Sequence, residues 1–293
     1  MCALEKEEKS LPRVAAIHDL AGMGSCSLNV VLPTLAAMGL VPCAAPTAIL
    51  AAHTDLPSYT FFDCSDLLDD CFQCWKKLGL SLQGAYSGFL GSAQQIESIL
   101  RFAEAFPDMP LFIDPVMGDG GRRYRTYTDA LCQEMRRLAS RADLLMPNLT
   151  EASILLNEPY PGANLTSAEA ERMLDRLLEG GAQTVIIKGI ARGDGRIVNA
   201  VKGRDFPYDE ESHPLYAAHF HGTGDLFASV LVSAVLRGLS LPASLRLAGE
   251  LTGKAVAFTM GHEILPGWGV NFTPLLPEFA GALAAALADE KAS

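Results

Sequence analysis

Short apolar runs alternate with amphipathic stretches along almost the whole chain, and most apolar runs end in a polar turn, several of them rich in glycine. The run Arg13–Ile17 leads into Gly22-Met-Gly24, then a helical stretch from about Ser27 to Met38 and an expected buried strand over Val41–Ala48. Helical LDDCFQCWKKLGL precedes the strand end GAYSGFL (Gly84–Leu90), and SAQQIESILRFAEAF, with Ser92 as N-cap, precedes MPLFIDPVMGD. TDALCQEMRRLASRA precedes ADLLMPN in the same way. TSAEAERMLDRLLEGGA has Thr166 as cap and Gly180-Gly181 as stop, and the strand QTVIIKG follows it. A polar hairpin region, roughly Gly193 to Pro214, then leads to the very apolar helix DLFASVLVSAVLRGL and two more helical stretches.

This alternation specifies parallel strands joined by crossover helices. No linker, repeat or low-complexity tract divides the 293 residues, so the expectation is one doubly wound α/β domain over residues 1–293. It should have a single, mostly parallel central sheet with helices on both faces and no separate lid domain. Residues 1–12 are expected to form a flexible N-terminal tail. Ligands of such sheets bind beyond the C-terminal strand ends, which directs attention to five turns: HDLAGMGS, SGFLGS, DPVMGDGG, PNLTEA and HFHGTGD.

Charge narrows the partners. Asp and Glu (34) exceed Lys and Arg (23), a net charge of −11, so the overall field repels nucleic acid and anionic membrane surfaces, and neither is an expected partner. The stretch Leu20–Thr54 carries no charge and is long enough to span a bilayer as one helix, but Pro33, Gly39, Pro42 and Pro46 break it. The start, MCALEKEEKSLPRV, lacks the apolar core of a secretory signal, and the seven cysteines are odd in number and scattered. A cytoplasmic location is expected. Cys71-Phe-Gln-Cys74 lies on a helical stretch without a second Cys pair or nearby His, so it reads as ordinary thiols and not a zinc site.

The strongest chemical signal is His221-Gly222-Thr223-Gly224-Asp225, opening an apolar helix at once. Glycines separated by one residue let successive amides turn toward one point, and the helix N-terminus adds partial positive charge there. The turn suits an oxyanion or a phosphoryl group. An acidic residue in a first helical turn is also common as a cap, but beside an anion site Asp225 is placed to take a proton from a hydroxyl attacking phosphorus.

Two other phosphate motifs are excluded. There is no G-x-x-x-x-G-K-[ST], and Gly22-Met-Gly24-Ser-Cys-Ser27 has Ser in place of the third glycine of a dinucleotide fingerprint. The acidic residue expected some twenty positions later is also missing, which disfavours an oxidoreductase. Asp114 and Asp119 in DPVMGD are candidates to hold Mg²⁺, or to form an Asx turn beside Pro115. In Pro147-Asn148-Leu-Thr150-Glu151, Asn148 or Thr150 also fits as the cap of the helix EASILL. Lys188, at the end of QTVIIKG, is either a surface lysine or a cation for a polyphosphate.

From Arg13 to about Phe258, these residues together resemble the ribokinase superfamily, and within it the pyridoxal kinase family. In that superfamily the Gly-x-Gly-Asp turn forms the anion hole and supplies the catalytic base, matching Gly222, Thr223, Gly224 and Asp225. HFHGTGD differs from the D-x-x-G-A-G-D of sugar kinases. Hydroxymethylpyrimidine kinases share HGTG and DPVM but generally carry Cys where Asp225 stands and do not usually continue DPVM with Gly-Asp. DPVMGD followed by Tyr124, and His53-Thr54 after the second strand, look like the pyridoxal kinase form.

The resemblance implies ATP-dependent phosphorylation of the 5′-hydroxymethyl group of a B6 vitamer, with ATP and Mg²⁺ bound and a homodimer as the assembly. Asp114 and Glu151 would face the metal, and Asn148, Glu151, Lys188 and Thr223 the nucleotide. Asp19, His53, Thr54, Phe89, Tyr124 and Asp225 would face the vitamin. Asp19 stands where these kinases often have Ser, Gly88-Phe89 where Gly-Tyr is expected, and Lys188 replaces a Thr near the phosphates. A hydroxymethylpyrimidine or other small-alcohol kinase, and a non-catalytic vitamin-binding protein, are the alternatives.

Overall fold

Each apolar run is too short for a stable helix and ends in a turn, so the runs become strands and the amphipathic stretches between them become the crossovers. The computed structural model describes residues 11–53, 56, 58–263 and 267–292. Its first half runs β1 (Arg13–Ala21), α1 (Leu28–Ala37), β2 (Val41–Leu50), β3 (Phe61–Asp63), α2 (Ser65–Lys77), β4 (Gly84–Ser87), α3 (Ala93–Ala105) and β5 (Leu111–Ile113). A two-stranded hairpin, β6 (Gly118–Asp119) and β7 (Arg122–Arg123), precedes α4 (Asp129–Ala139), β8 (Leu144–Leu145), α5 (Leu149–Leu156) and α6 (Ser167–Glu179). The chain continues through β9 (Thr184–Arg192), β10 (Arg196–Gly203), β11 (Asp209–Pro214), α7 (Thr223–Leu236), α8 (Leu241–Met260) and α9 (Leu276–Ala292).

The nine-stranded sheet has the order β11-β10-β9-β8-β5-β4-β1-β2-β3. Strands β2 through β9 in that order pair in parallel, whereas β10, β11 and β3 add antiparallel edges. The expected mostly parallel sheet is present, and the polar region after β9 extends it: β10 and β11 pair from Arg196↔Pro214 to Val201↔Asp209. One core, including Ile17, Ile113, Leu145 and Ile187, lies on one face of the sheet; a second, including Val14, Phe112, Ile186 and Leu231, lies on the other. Each buried side chain of this size contributes about 1.5–3 kcal/mol, so a slip of register by one residue would be costly.

Two expectations need correction. The strand over Val41–Ala48 runs on to Leu50 and is not buried throughout, because only the short β3 lies beyond it; Val41 and Ile49 are exposed. The tail expected over residues 1–12 lies mostly outside the described residues, which begin at Leu11.

Register places the site. Ile17, Ser87, Ile113, Leu145 and Val185 stand side by side on five adjacent parallel strands. One to three residues further on come Asp19, Phe89, Asp114, Asn148 and Lys188, all at one edge of the sheet. Helix α7 is apolar all round and buried from Leu226 to Ala234, packed against α1 and α8, so its N-terminus is held rigidly over that edge.

Candidate active site

Helix α7 begins without a side-chain cap. Its N-cap, Gly222, has φ 78°, and a Cβ there would lie 2.0 Å from the Ser25 carbonyl oxygen, so both backbone and space require glycine. Gly224 differs: it has ordinary negative φ and is exposed, and a Cβ on it would sit 3.7 Å from Lys188 Nζ. The turn therefore has one left-handed glycine, with the second leaving room beside a cation. The Thr223 hydroxyl donates to the Phe220 carbonyl at 2.7 Å and fastens the turn. The helix start, with its partial positive charge, faces the sheet edge as an anion site would.

Asp225 is half-buried in the first turn of α7 and lines a cleft of about 140 Å³. Its Oδ2 accepts the Ser27 amide at 2.8 Å. Burial pushes its carboxyl up to about 6, aided by the charges of Asp114 and Asp19 and opposed by the Ser27 amide and Lys188. A carboxylate poised near neutrality can take a proton at ordinary pH.

Asp19, His53, Phe89 and Tyr124 line the same cleft. Asp19 is 7% exposed, accepts a hydrogen bond from the Ser27 hydroxyl on Oδ1, and is pushed above the usual carboxylate range by burial. His53 Nε2 donates to the Gly267 carbonyl at 2.6 Å, and its ring lies 4.6 Å from that of His221. Tyr124 stands partly exposed at the cleft, and its amide donates to the Met117 carbonyl. Thr54 lies outside the described residues.

Lys188 and Asp114 form a buried ion pair next to this cleft. Burial alone would lower Lys188, but Asp114, Glu151 and Asp225 keep its ammonium charged and raise it. Among the described residues Asp114 Oδ1 is buried without a hydrogen-bond partner, an acceptor left for a ligand. Glu151 is pushed up to about 8 by burial and by the charge of Asp114. Both its oxygens accept amides, Oε1 from Met117 at 3.1 Å and Oε2 from Asn148 at 2.7 Å. Asn148 completes a capping box on α5 and donates through Nδ2 to the Gly118 carbonyl. Asp119 sits on the β6–β7 hairpin, where Oδ1 accepts the Gly120 amide and Oδ2 faces His219 Nε2 at 3.2 Å. Among the described residues no group of three or more His, Cys, Asp or Glu is arranged to hold a metal, Cys71 and Cys74 included.

Sequence reasoning missed Cys26, Ser27, Leu50, Val116, Thr126 and His221 as lining residues. In the sequence Ser27 marks only the start of a helical stretch and a serine in place of a third glycine. Both Ser27 (φ 50°) and Val116 (φ 44°) have left-handed backbones, a strain of order 1–3 kcal/mol each that concentrates at functional sites. Residues 267–270 were missed as well: Trp268 O accepts the Ser25 amide, and the Val270 amide donates to His221 O. No helix among the described residues is long and apolar enough to cross a membrane.

A family model described as phosphomethylpyrimidine kinase matches residues 29–268. A candidate phosphomethylpyrimidine kinase of Bacteroides thetaiotaomicron, 36% identical, superposes with a TM-score of 0.88 over 92% of this chain and 94% of that one. A second crystal form of it, determined with pyridoxal, gives 0.87 at 36% identity over 92% and 96%. The pyridoxal kinase of Lactobacillus plantarum is 28% identical, with a TM-score of 0.84 over 93% and 98%. The hydroxymethylpyrimidine/phosphomethylpyrimidine kinase of Bacillus subtilis is 26% identical over 60% of this chain, and the match spans 64% of that relative's length.

Proposed function

We propose, for a chain that belongs to the phosphomethylpyrimidine kinase family, ATP-dependent phosphorylation of the 5′-hydroxymethyl group of pyridoxal, pyridoxine or pyridoxamine. The observation that carries this reading is Asp225: a carboxylate pushed up to about 6, held by the Ser27 amide at the uncapped start of α7, and facing a cleft. Support for a pyridine ring comes from the pyridoxal in the Bacteroides relative and from the similarity to a pyridoxal kinase. The similarity to the Bacillus subtilis hydroxymethylpyrimidine/phosphomethylpyrimidine kinase favours a hydroxymethylpyrimidine as the second acceptor to test.

In this mechanism Asp225 accepts the hydroxyl proton as the alcohol oxygen bonds to the γ-phosphorus of ATP. The bond from that phosphorus to the bridging oxygen breaks, and ADP leaves. Amides at the start of α7, with Lys188 beside Gly224, offset charge on the transferring group. The unpartnered Asp114 Oδ1 fits a Mg²⁺ ligand, and Glu151, whose oxygens already accept amides, would act through water. The metal, when bound, neutralises phosphate charge. Positioning dominates such transfers, so the site need supply little covalent chemistry of its own. A homodimer is part of this reading by family likeness alone.

ADP release with each vitamer, with the hydroxymethylpyrimidine and with several sugars tests the proposal. Turnover of at least one vitamer above all other acceptors is expected. Turnover of the pyrimidine alone would move the assignment to the second acceptor, and vitamer binding without ADP release would make the protein a binding module.

A further inference from the structure

Ser27 stands between the two carboxylates of the cleft and touches both. Its amide donates to Asp225 Oδ2 at 2.8 Å and its hydroxyl to Asp19 Oδ1, while the residue itself is 9% exposed. Two ordinary explanations for a serine at this position fail. It is the N-cap of α1, where serine usually spends its hydroxyl on an amide of the first turn, yet it makes no such bond. The amides of Val30 and Val31 go to its main-chain oxygen instead, each at 2.9 Å. Its backbone (φ 50°, ψ −132°) is one that glycine enters freely and serine rarely, so glycine is the residue that backbone geometry alone would select.

The geometry points to Ser27 as a positioning residue for the transfer: it ties one oxygen of each carboxylate, through its amide on Asp225 and its hydroxyl on Asp19, and leaves each remaining oxygen for the ligand. The inference rests on the phosphotransfer reading above and deepens it. One residue sets the separation between the proton acceptor and the second carboxylate. The ligand class that fits both is a heteroaromatic ring carrying a hydroxymethyl group on one side and a hydrogen-bond donor on another. The strained backbone has a function under this reading, since it lets a single residue aim amide and hydroxyl at different carboxylates.

The test compares wild type with Ser27→Gly, Ser27→Ala and Ser27→Asn by steady-state kinetics, by calorimetric titration with pyridoxine in the absence of ATP, and by thermal unfolding. Ser27→Gly relaxes the backbone and removes the hydroxyl. Its Tm should equal or exceed that of wild type while kcat falls about tenfold or more. Ser27→Ala keeps the amide and loses the hydroxyl, so KM and Kd for pyridoxine should rise about tenfold, the scale of one hydrogen bond to a charged group, with a smaller change in kcat. Ser27→Asn carries a donor and suits the positive-φ, negative-ψ backbone found at primed turns, so it should recover part of that affinity. KM for ATP should stay within about twofold throughout, since Ser27 touches neither Lys188 nor Asp114.

Wild-type kcat and acceptor KM in Ser27→Gly would overturn the inference, as would Tm falling in step with activity in all three variants. If wild type itself releases no ADP with any acceptor, the phosphotransfer reading fails separately. The titration then decides alone: an unchanged pyridoxine Kd in Ser27→Ala overturns the role of Ser27, and a weakened one sustains it.

Discussion

Helices α6 and α7 begin in opposite ways. At α6 the Thr166 hydroxyl accepts the Glu169 amide while Glu169 reaches back to the Thr166 amide, so the start is closed by its own side chains. At α7 glycine occupies the N-cap, no side chain closes the start, and a half-buried carboxylate three residues on faces a cleft. The difference separates a helix start built for stability from one kept open for a ligand. Each can be broken separately, and the expected losses differ in kind.

The largest effect is expected at Asp225. Replacing it with Ala removes the proton acceptor and should lower kcat by about 10²–10⁴-fold, with nucleotide affinity measured by titration changing little. Equal losses in turnover and nucleotide affinity would mean that the carboxylate serves the phosphates and not the alcohol. Next comes Gly222→Ala. The left-handed backbone alone costs about 1–2 kcal/mol, and the added Cβ would collide with the Ser25 carbonyl oxygen. Both Tm and kcat should drop, because the open start and the Ser25–Ser27 loop are packed against each other. An unchanged kcat would show that the amides of this turn do not face the transferring group.

Both helix starts were legible in the sequence for the same reason: the residues that matter are local. Thr166 and Glu169 are three apart, and Gly222, Gly224 and Asp225 are nearly contiguous. The mostly parallel sheet with crossover helices was legible because apolar runs alternate with helical ones. What escaped is non-local. The Ser27 amide meets a carboxylate 198 residues away, and the segment 267–270, which bonds the backbone of Ser25 and His221, comes from a connection without periodicity. Asn148 could be read as cap or ligand, and the capping role became visible only in its hydrogen bonds to Glu151 and Gly118. The exposure of β2 depended on which strand lies beyond it, a fact that VPCAAPTAIL does not contain.

The pH response is a smaller, graded effect. Asp225 in the fold lies at about 6, above the ordinary carboxylate value, because burial disfavours its charge. The proton-accepting form grows as pH rises through about 6, so kcat/KM for the vitamer should climb below that pH and level off above it. Stability carries the opposite sign. A carboxyl raised in the fold contributes stability that is present below the unfolded carboxylate pKa and lost as pH rises through about 6. Asp225→Asn should therefore be nearly inactive yet unfold at a higher temperature than wild type above pH 7, with the gain fading below about pH 4. A destabilised Asp225→Asn at pH 8 would show that the charge is well solvated in the cleft.

Thr166→Ala sharpens the contrast from the other side. It deletes the hydroxyl that accepts the Glu169 amide and donates to the Glu169 carboxylate, leaving the carboxylate only the backbone amide of residue 166. Lost caps of this kind cost about 1 kcal/mol, or a few degrees in Tm for a chain of this size. Burial of Ala170, Met173 and Leu174 should hold α6 in place, so kcat and both KM values should stay at wild-type levels. Since α6 packs against β9, which carries Lys188, a fall in kcat accompanying the lower Tm would mean that stability at α6 reaches the site through that strand. The separation between closed and open helix starts would then be one of degree.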